Sequence, residues 1–468
     1  MNSETLAVTS ALAARHRPGR QMGWLLLLAI NLPCVALADD RDQQWKTVEQ
    51  MSAEDQALFD PATSTPRDGS IPYIPAEPYP FQAPYTAEEM GFRSAEFVHI
   101  GRWPLAIVDV FGVVTSSGYI NQGVSVSYTT IKGRPGLEGY IHDVKPGEPY
   151  AFWTLYDIFP PESEGTQQLW IPFRTDKEHR TKMDFYVYSE QLRRVRRQPQ
   201  PLRDQRFPDN SQTFDDVIGR DPWELDWQLL GTDVIYETIR FPNTRPTITQ
   251  NIGGKFVERQ TASIKMMGDS YPHYRADGGI DTWVMKATVR EDWLPGYSEK
   301  TLIFWLDKHF FYPLRMEKYN ARGELMMVEV RFAEHENPER GDFGYDALST
   351  VYWNVEYDLV GFSLHDGQVR KDWTAEQEKM IFTPEFMRRK WLIEPIKSQA
   401  VIRDPEHFYL RPKLYPGKFP GARNVTLAPA LQARVDAQEA AGHLVFETPG
   451  TTPVAAAQPI KVETKATQ

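Results

Sequence analysis

Six arginines, Arg193, Arg194, Arg196, Arg197, Arg203 and Arg206, fall within one short stretch of a chain whose formal charge is −11. A guanidinium pairs with phosphate or carboxylate through two parallel hydrogen bonds, so the stretch suits anionic lipid headgroups or an acidic partner surface. Two readings stand at this point. Arg193, Arg194, Arg196 and Arg197 form a contact surface for a headgroup or partner, or they are a solvated edge strand whose charge discourages further pairing, with Asp215, Asp216 and Asp221 at hand to neutralise it. Other chemistries have less to stand on. The ten His are scattered singly, no His-Glu-x-x-His helix occurs, and Cys34 is the only cysteine, so no spaced set of metal ligands is expected. His142-Asp143 and His365-Asp366 read as surface or turn pairs. With no Gly-x-Gly-x-x-Gly and no phosphate-binding loop, nucleotide use has no support and no cofactor is expected.

Residues 1–38 read as a cleavable export leader. Arg15, Arg17 and Arg20 precede the apolar run Trp24 to Ile30, and Ala36-Leu37-Ala38 is a small-residue cleavage site. The run is short for a membrane span and is followed by Asn31 and Pro33. Lipid attachment at Cys34 is disfavoured, because Asn31-Leu32-Pro33 lacks the small residue such a site requires before the cysteine. Cleavage near Ala38 would place the protein in the periplasm, without a thiol and with two more net negative charges, which argues against nucleic acid as a partner.

The elements that must position these groups read mostly as strands. Thirteen Trp, 21 Tyr and 24 Phe suit strands and apolar pockets. Residues 39–94 form an N-terminal segment: a short helix within Trp45 to Phe59, with Ser52 as N-cap, then a strap in which Pro61, Pro66, Pro72, Pro75, Pro78, Pro80 and Pro84 exclude helix. Residues 95–395 carry the strand text. Val108 to Val114, Val124 to Ile131 and Ala151 to Phe159 are strands; Met183 to Tyr188, a Ser189-Glu190-Gln191 turn and Leu192 to Arg197 form a hairpin. Residues 203–230 mix short helix with loop. Trp283 to Val289 puts Trp283, Met285, Ala287 and Val289 on one face, and Thr301 to Asp307 is apolar on both. Leu314 to Tyr319 and Leu325 to Phe332 flank a turn in which Gly323 takes the positive φ. Thr374 to Met380 and Pro384 to Trp391 are helix-prone, residues 396–447 form a helical flank containing Ala428 to Ala441, and residues 448–468 form a tail without apolar periodicity.

Three strings resemble known families. Trp305-Leu306-Asp307-Lys308 with Tyr312 to Leu325 is similar to the strand, proline-led strand, turn and strand of the outer-membrane lipoprotein-sorting superfamily of periplasmic carriers. Asp184 to Arg197 resembles the basic-stranded hairpin of the same group. With Trp223-Glu224-Leu225-Asp226-Trp227-Gln228-Leu229-Leu230-Gly231, these strings resemble the proteobacterial family called domain of unknown function 1329. The resemblance covers about residues 95–395. It implies an α+β protein: a large twisted antiparallel β-sheet forming an incomplete barrel closed by helices, with a hydrophobic concavity and no catalytic residues to transfer. The chain is about twice the length of such a carrier, and its proline-rich start has no counterpart there. A weaker likeness links Gly268-Asp269-Ser270 and Asp404-Pro405-Glu406-His407 to the Ser-Gly-Asn-His lipases and esterases, which implies Ser270 as nucleophile, His407 as base and Asp404 as its orienting group. That family's Gly-x-Asn-Asp block is missing.

The expected function is a periplasmic carrier or binding protein for a lipid, lipoprotein or other hydrophobic molecule, acting between inner and outer membrane without covalent chemistry. An inner-membrane exporter and an outer-membrane component are the partners this implies. A structural or adaptor subunit of an envelope transport complex is the alternative, and a Ser270/His407 esterase the outsider. Alternating strands let one sheet face line an apolar hollow, and flexible Met lets that hollow fit several chains. The candidate lining is Phe185, Val187, Trp283, Met285, Phe304, Met316, Met326 and Val328, each of which an ordinary packed core would equally explain.

Overall fold

In the computed structural model, residues 45–95, 104–115, 120–131, 144–159, 163–207, 210–236, 247–252, 255–260, 265–335, 345–357, 359–370 and 373–388 are described. The leader, His407, Asp404, the Ala428 to Ala441 helix and the tail lie outside them. In chain order the strands are β1 (Lys46–Thr47), β2 (Leu105–Thr115), β3 (Ile120–Ile131), β4 (Ala151–Phe159), β5 (Gln167–Pro172), β6 (Met183–Ser189), β7 (Arg194–Gln198), β8 (Leu225–Ile235), β9 (Thr247–Ile252), β10 (Lys255–Gln260), β11 (Ile280–Val289), β12 (Thr301–Asp307), β13 (Pro313–Tyr319), β14 (Leu325–His335), β15 (Tyr345–Asn354) and β16 (Leu359–Arg370). The helices are α1 (Ala53–Ala57), α2 (Ala87–Ala95), α3 (Phe214–Ile218) and α4 (Ala375–Ile381).

Fourteen strands form one antiparallel sheet in the order β1-β8-β11-β12-β13-β14-β15-β16-β2-β3-β4-β5-β6-β7, and β9 and β10 form a separate hairpin. The sheet does not close, since β1 and β7 are its ends. It does curl. Laid flat, β5 and β8 would be roughly 48 Å apart at the usual spacing between strands. Instead Arg174, just after β5, pairs with Asp221, just before β8, at 2.5 Å, and Thr175 Oγ1 donates to Glu224 at 2.8 Å. The expected incomplete barrel is therefore present.

Local sequence explains much of this. Ser52 caps α1 by accepting from the Asp55 N–H at 3.0 Å, and no helix occurs between Pro61 and Pro84. Gly323 takes φ 75° in the β13–β14 turn. Three departures have physical causes. Helix α2 starts directly after the proline strap, held by a reciprocal cap: the Thr86 N–H donates to Glu89 at 2.8 Å and the Glu89 N–H donates to Thr86 at 3.1 Å. Residues 225–230, expected as helix and loop, are the start of β8, because Leu225 and Leu229 pack into the core beneath α2. The β6–β7 turn falls at residues 190–193, with Arg193 in the left-handed region at φ 49°, so the return strand starts at Arg194. Beyond α4, the Pro384 to Trp391 expectation is met within the described residues by a single 3-10 turn, Phe386–Arg388.

Residues paired across antiparallel strands share a face, so the register defines the inner face of the curl. Met285, Phe304, Met316, Glu329, Tyr352 and Gly361 follow one another across β11 to β16. The row Ser363, Phe111, Gly123 continues on the same side into β2 and β3. The outer face is covered in part by α4, whose Ile381 packs with Phe382, Ala106, Tyr128 and Leu169.

Candidate functional site

The inner face has three zones, each set by what lies on it. Under α2 it is solid. Trp283, Met285, Phe304 and Met316 interlock with Ala87, Met90, Leu225 and Leu302, and Met285 is 0% exposed. Helix and sheet approach closely enough that a Cβ on Gly91 would lie 2.3 Å from the Trp227 ring. Four of the eight candidate lining residues are thus in a packed core.

Under α3 the face is ionic. Arg203 pairs with Asp215 at 2.9 Å and with Glu224 at 2.5 Å, and Lys182 with Asp221 at 3.1 Å. Tyr297 donates to Asp215 at 2.9 Å and accepts from Arg220 at 3.0 Å. Lys318, fully buried on β13, pairs with Asp216 and faces Glu299 at 3.6 Å and Glu329 at 3.8 Å. Burial pushes the Asp216 carboxyl up, but the Lys318 ammonium and the Arg220 guanidinium outweigh it and hold it below the usual range. The network joins the β5–β6 connection to β13 and β14, so it clasps the curl.

Beyond α3 the face is hollow. A cavity of about 640 Å³ lies between β2 to β6 and the segment 201–217. That size is within the roughly 300–1,000 Å³ of small-molecule pockets. Phe111, Trp153, Leu155, Trp170, Phe185 and Val187 wall it from the sheet, with Phe207, Phe214 and Val217 opposite. Trp170 organises the wall: its ring centroid is 5.2 Å from Trp153, 5.3 Å from Phe185 and 5.3 Å from a stacked Phe207. Phe111, Trp153, Phe185 and Val187 are only half-buried, as residues facing open space should be. Of the eight candidates, Phe185 and Val187 are in this lining. Val328 is buried on the outer face, paired with Glu317, and Met326 is half-buried beside the β13–β14 turn.

The cavity also contains acids. Asp109 on β2 and Asp157 on β4 both line it, and the register puts them in one row with Ser125 between them. Asp109 accepts from Ser363 Oγ at 2.9 Å. Burial raises the Asp109 carboxyl despite the His365 charge and the Ser363 hydrogen bond, and burial alone pushes Asp157 up to about 7. In the row His365 lies beyond Asp109, so Ser125 has carboxyls on both sides and no imidazole beside it to act as base. These acids were missed in the sequence, where a lone Asp inside β-branched and aromatic text, in Val108-Asp109-Val110 and Tyr156-Asp157-Ile158, was the available signal.

The arginine stretch divides. Arg203 belongs to the buried network, and Arg206 donates to the Asn210 carbonyl and stacks over Tyr357 with its guanidinium 4.8 Å from the ring centre. Arg197 pairs with Asp184. Arg193, Arg194 and Arg196 are exposed at the edge of the sheet, and Arg196 is opposite Val187, on the cavity side. Ser270 is exposed in a turn, and its expected partners lie outside the described residues. Among the described residues no group of three or more His, Cys, Asp or Glu is gathered as metal ligands would be, and no helix is long and apolar enough to cross a membrane.

Three solved structures are similar to this chain. A DUF1329 family protein from Desulfovibrio piger matches at 14% identity, covering 64% of this chain and 95% of that one, with a TM-score of 0.42. A putative outer membrane lipoprotein-sorting protein domain from Vibrio parahaemolyticus matches at 11% identity, covering 65% and 98%, with a TM-score of 0.42. A LolA superfamily protein from Nitrosomonas europaea matches at 12% identity, covering 64% and 99%, with a TM-score of 0.36. No curated protein matches the sequence. The family model described as "Protein of unknown function (DUF1329)" matches residues 77–388, which include every strand from β2 to β16, the clasp and the cavity, and the chain therefore belongs to the DUF1329 family.

Proposed function

We propose that this protein is a periplasmic binding protein or carrier for a hydrophobic molecule, which it holds between β2 to β6 and the segment 201–217, with Phe185 and Val187 among the residues in contact. The observation that carries the reading is the cavity of about 640 Å³ walled by half-buried aromatics, on a face that is packed solid under α2 and ionic under α3. Export is supported by the arginine-then-apolar leader. Burying ten methylenes in such a wall contributes on the order of 8 kcal/mol before association costs, enough for useful affinity without any covalent step. Arg194 and Arg196, on the cavity side of the edge strand, are suited to touch an anionic membrane surface as cargo is exchanged.

The test is direct. A single-chain hydrophobic probe titrated into the protein should change the fluorescence of Trp153 and Trp170, and Val187→Trp, which fills the cavity from a half-buried position, should abolish that change while the Tm stays close to wild type. Unaltered probe binding in the filled variant, or no binding of any hydrophobic probe to the wild type, would sink the reading.

A further inference from the structure

We infer that the cavity takes an amphiphile with a cationic amine headgroup, and that Asp157 is its counter-ion. The inference rests on reading the cavity as a ligand site and goes on to name the class of ligand. Asp157 lines the cavity, is 8% exposed, and its carboxyl has no hydrogen-bond or ion-pair partner among the described residues. An ionised carboxylate in such a place is costly until a positive charge or strong donor reaches it. Burial alone accounts for its raised pKa of about 7, with no nearby cation lowering it.

The surroundings fit the same ligand. Among the described residues lining the cavity there is no Lys or Arg side chain, and the other polar members include Gln168, Gln205, Asn210 and Gln212. An anionic head placed beside Asp157 would therefore meet carboxyls and neutral amides. An ammonium meets the reverse. It carries three donors, and the Asp157 carboxyl in the lining offers it two acceptor oxygens. At the spacing of β-strands Asp109 is roughly 10 Å from Asp157 along the row, so Asp157 alone makes the direct contact. The half-buried Trp153 ring can attract a cation as it enters, and the apolar wall takes its chain.

The experiment compares three probes of equal chain length, dodecylamine, dodecanol and laurate, titrated below micelle formation at about pH 8, where Asp157 is mostly ionised. Dodecylamine should bind at least about tenfold more tightly than laurate, with dodecanol between them. Asp157→Asn keeps the shape and removes the charge; it should weaken dodecylamine about tenfold or more and leave dodecanol within about twofold. Laurate binding as tightly as dodecylamine, or an Asn variant that holds the amine as well as wild type, overturns the inference. The two failures are distinguishable: dodecanol bound without any charge preference removes the amine assignment alone, whereas no binding of all three removes the ligand site as well.

Discussion

Asp216, on α3, and Asp157, on β4, are both acids buried at the inner face of the same sheet, and their surroundings are opposite. Asp216 has an ammonium and a guanidinium within reach, accepts the Thr213 N–H at 2.7 Å, and is held ionised. Asp157 has only burial acting on it and is pushed toward the neutral form. The difference separates a charge used for architecture from one left for something outside the chain. A network whose members compensate one another completes itself on folding. A carboxyl facing a hollow does not.

Breaking the compensated side should have the largest effect. Lys318→Met leaves Asp216, Glu299 and Glu329 without their shared ammonium, and urea unfolding should show a loss of about 3–5 kcal/mol. Adding Asp216→Asn should recover part of that loss. A Lys318→Met variant as stable as wild type would mean the clasp contributes nothing.

The uncompensated side should appear as a pH effect. The Asp157 carboxyl rises on folding, so its contribution is fully present below the unfolded carboxylate range and is lost as pH climbs through about 7. Wild type should therefore lose stability relative to Asp157→Asn between acid and mildly alkaline pH, by up to about 4 kcal/mol. A flat difference between the two curves would place solvent or a partner at that carboxyl.

The smallest expected effect on stability is at the edge strand, where Arg194 and Arg196 are exposed rather than drawn into the network as Arg203 is. Arg194→Glu with Arg196→Glu should leave the Tm unchanged and reduce flotation with anionic vesicles. Equal flotation of variant and wild type would remove the membrane-contact role.

Much of the fold was legible because it depends on near neighbours. Alternation in Trp283 to Val289, the double-sided apolar run of β12 and the Gly323 turn each state their own geometry within a few residues. Thr86 with Glu89 was equally local and readable as a capping box, though it was overshadowed by the prolines before it. The site was less legible. Alternation identifies two faces of a strand but not what lies on them, so Trp283 and Phe185 look alike in sequence, while α2 packs on the core around the first and open space faces the second.

The sequence by itself determined strand positions, turn chemistry, the break at the proline strap and the family to which the chain belongs, because each depends on residue type at short separation. The tertiary structure alone decided which arginines are buried, which apolar face is solid, and that Asp109, Ser125 and Asp157 form one row. Those outcomes depend on strand register and on the curl that brings the residues after β5 to those before β8. Register and curl are set by the packing of the whole sheet and by no single segment of it.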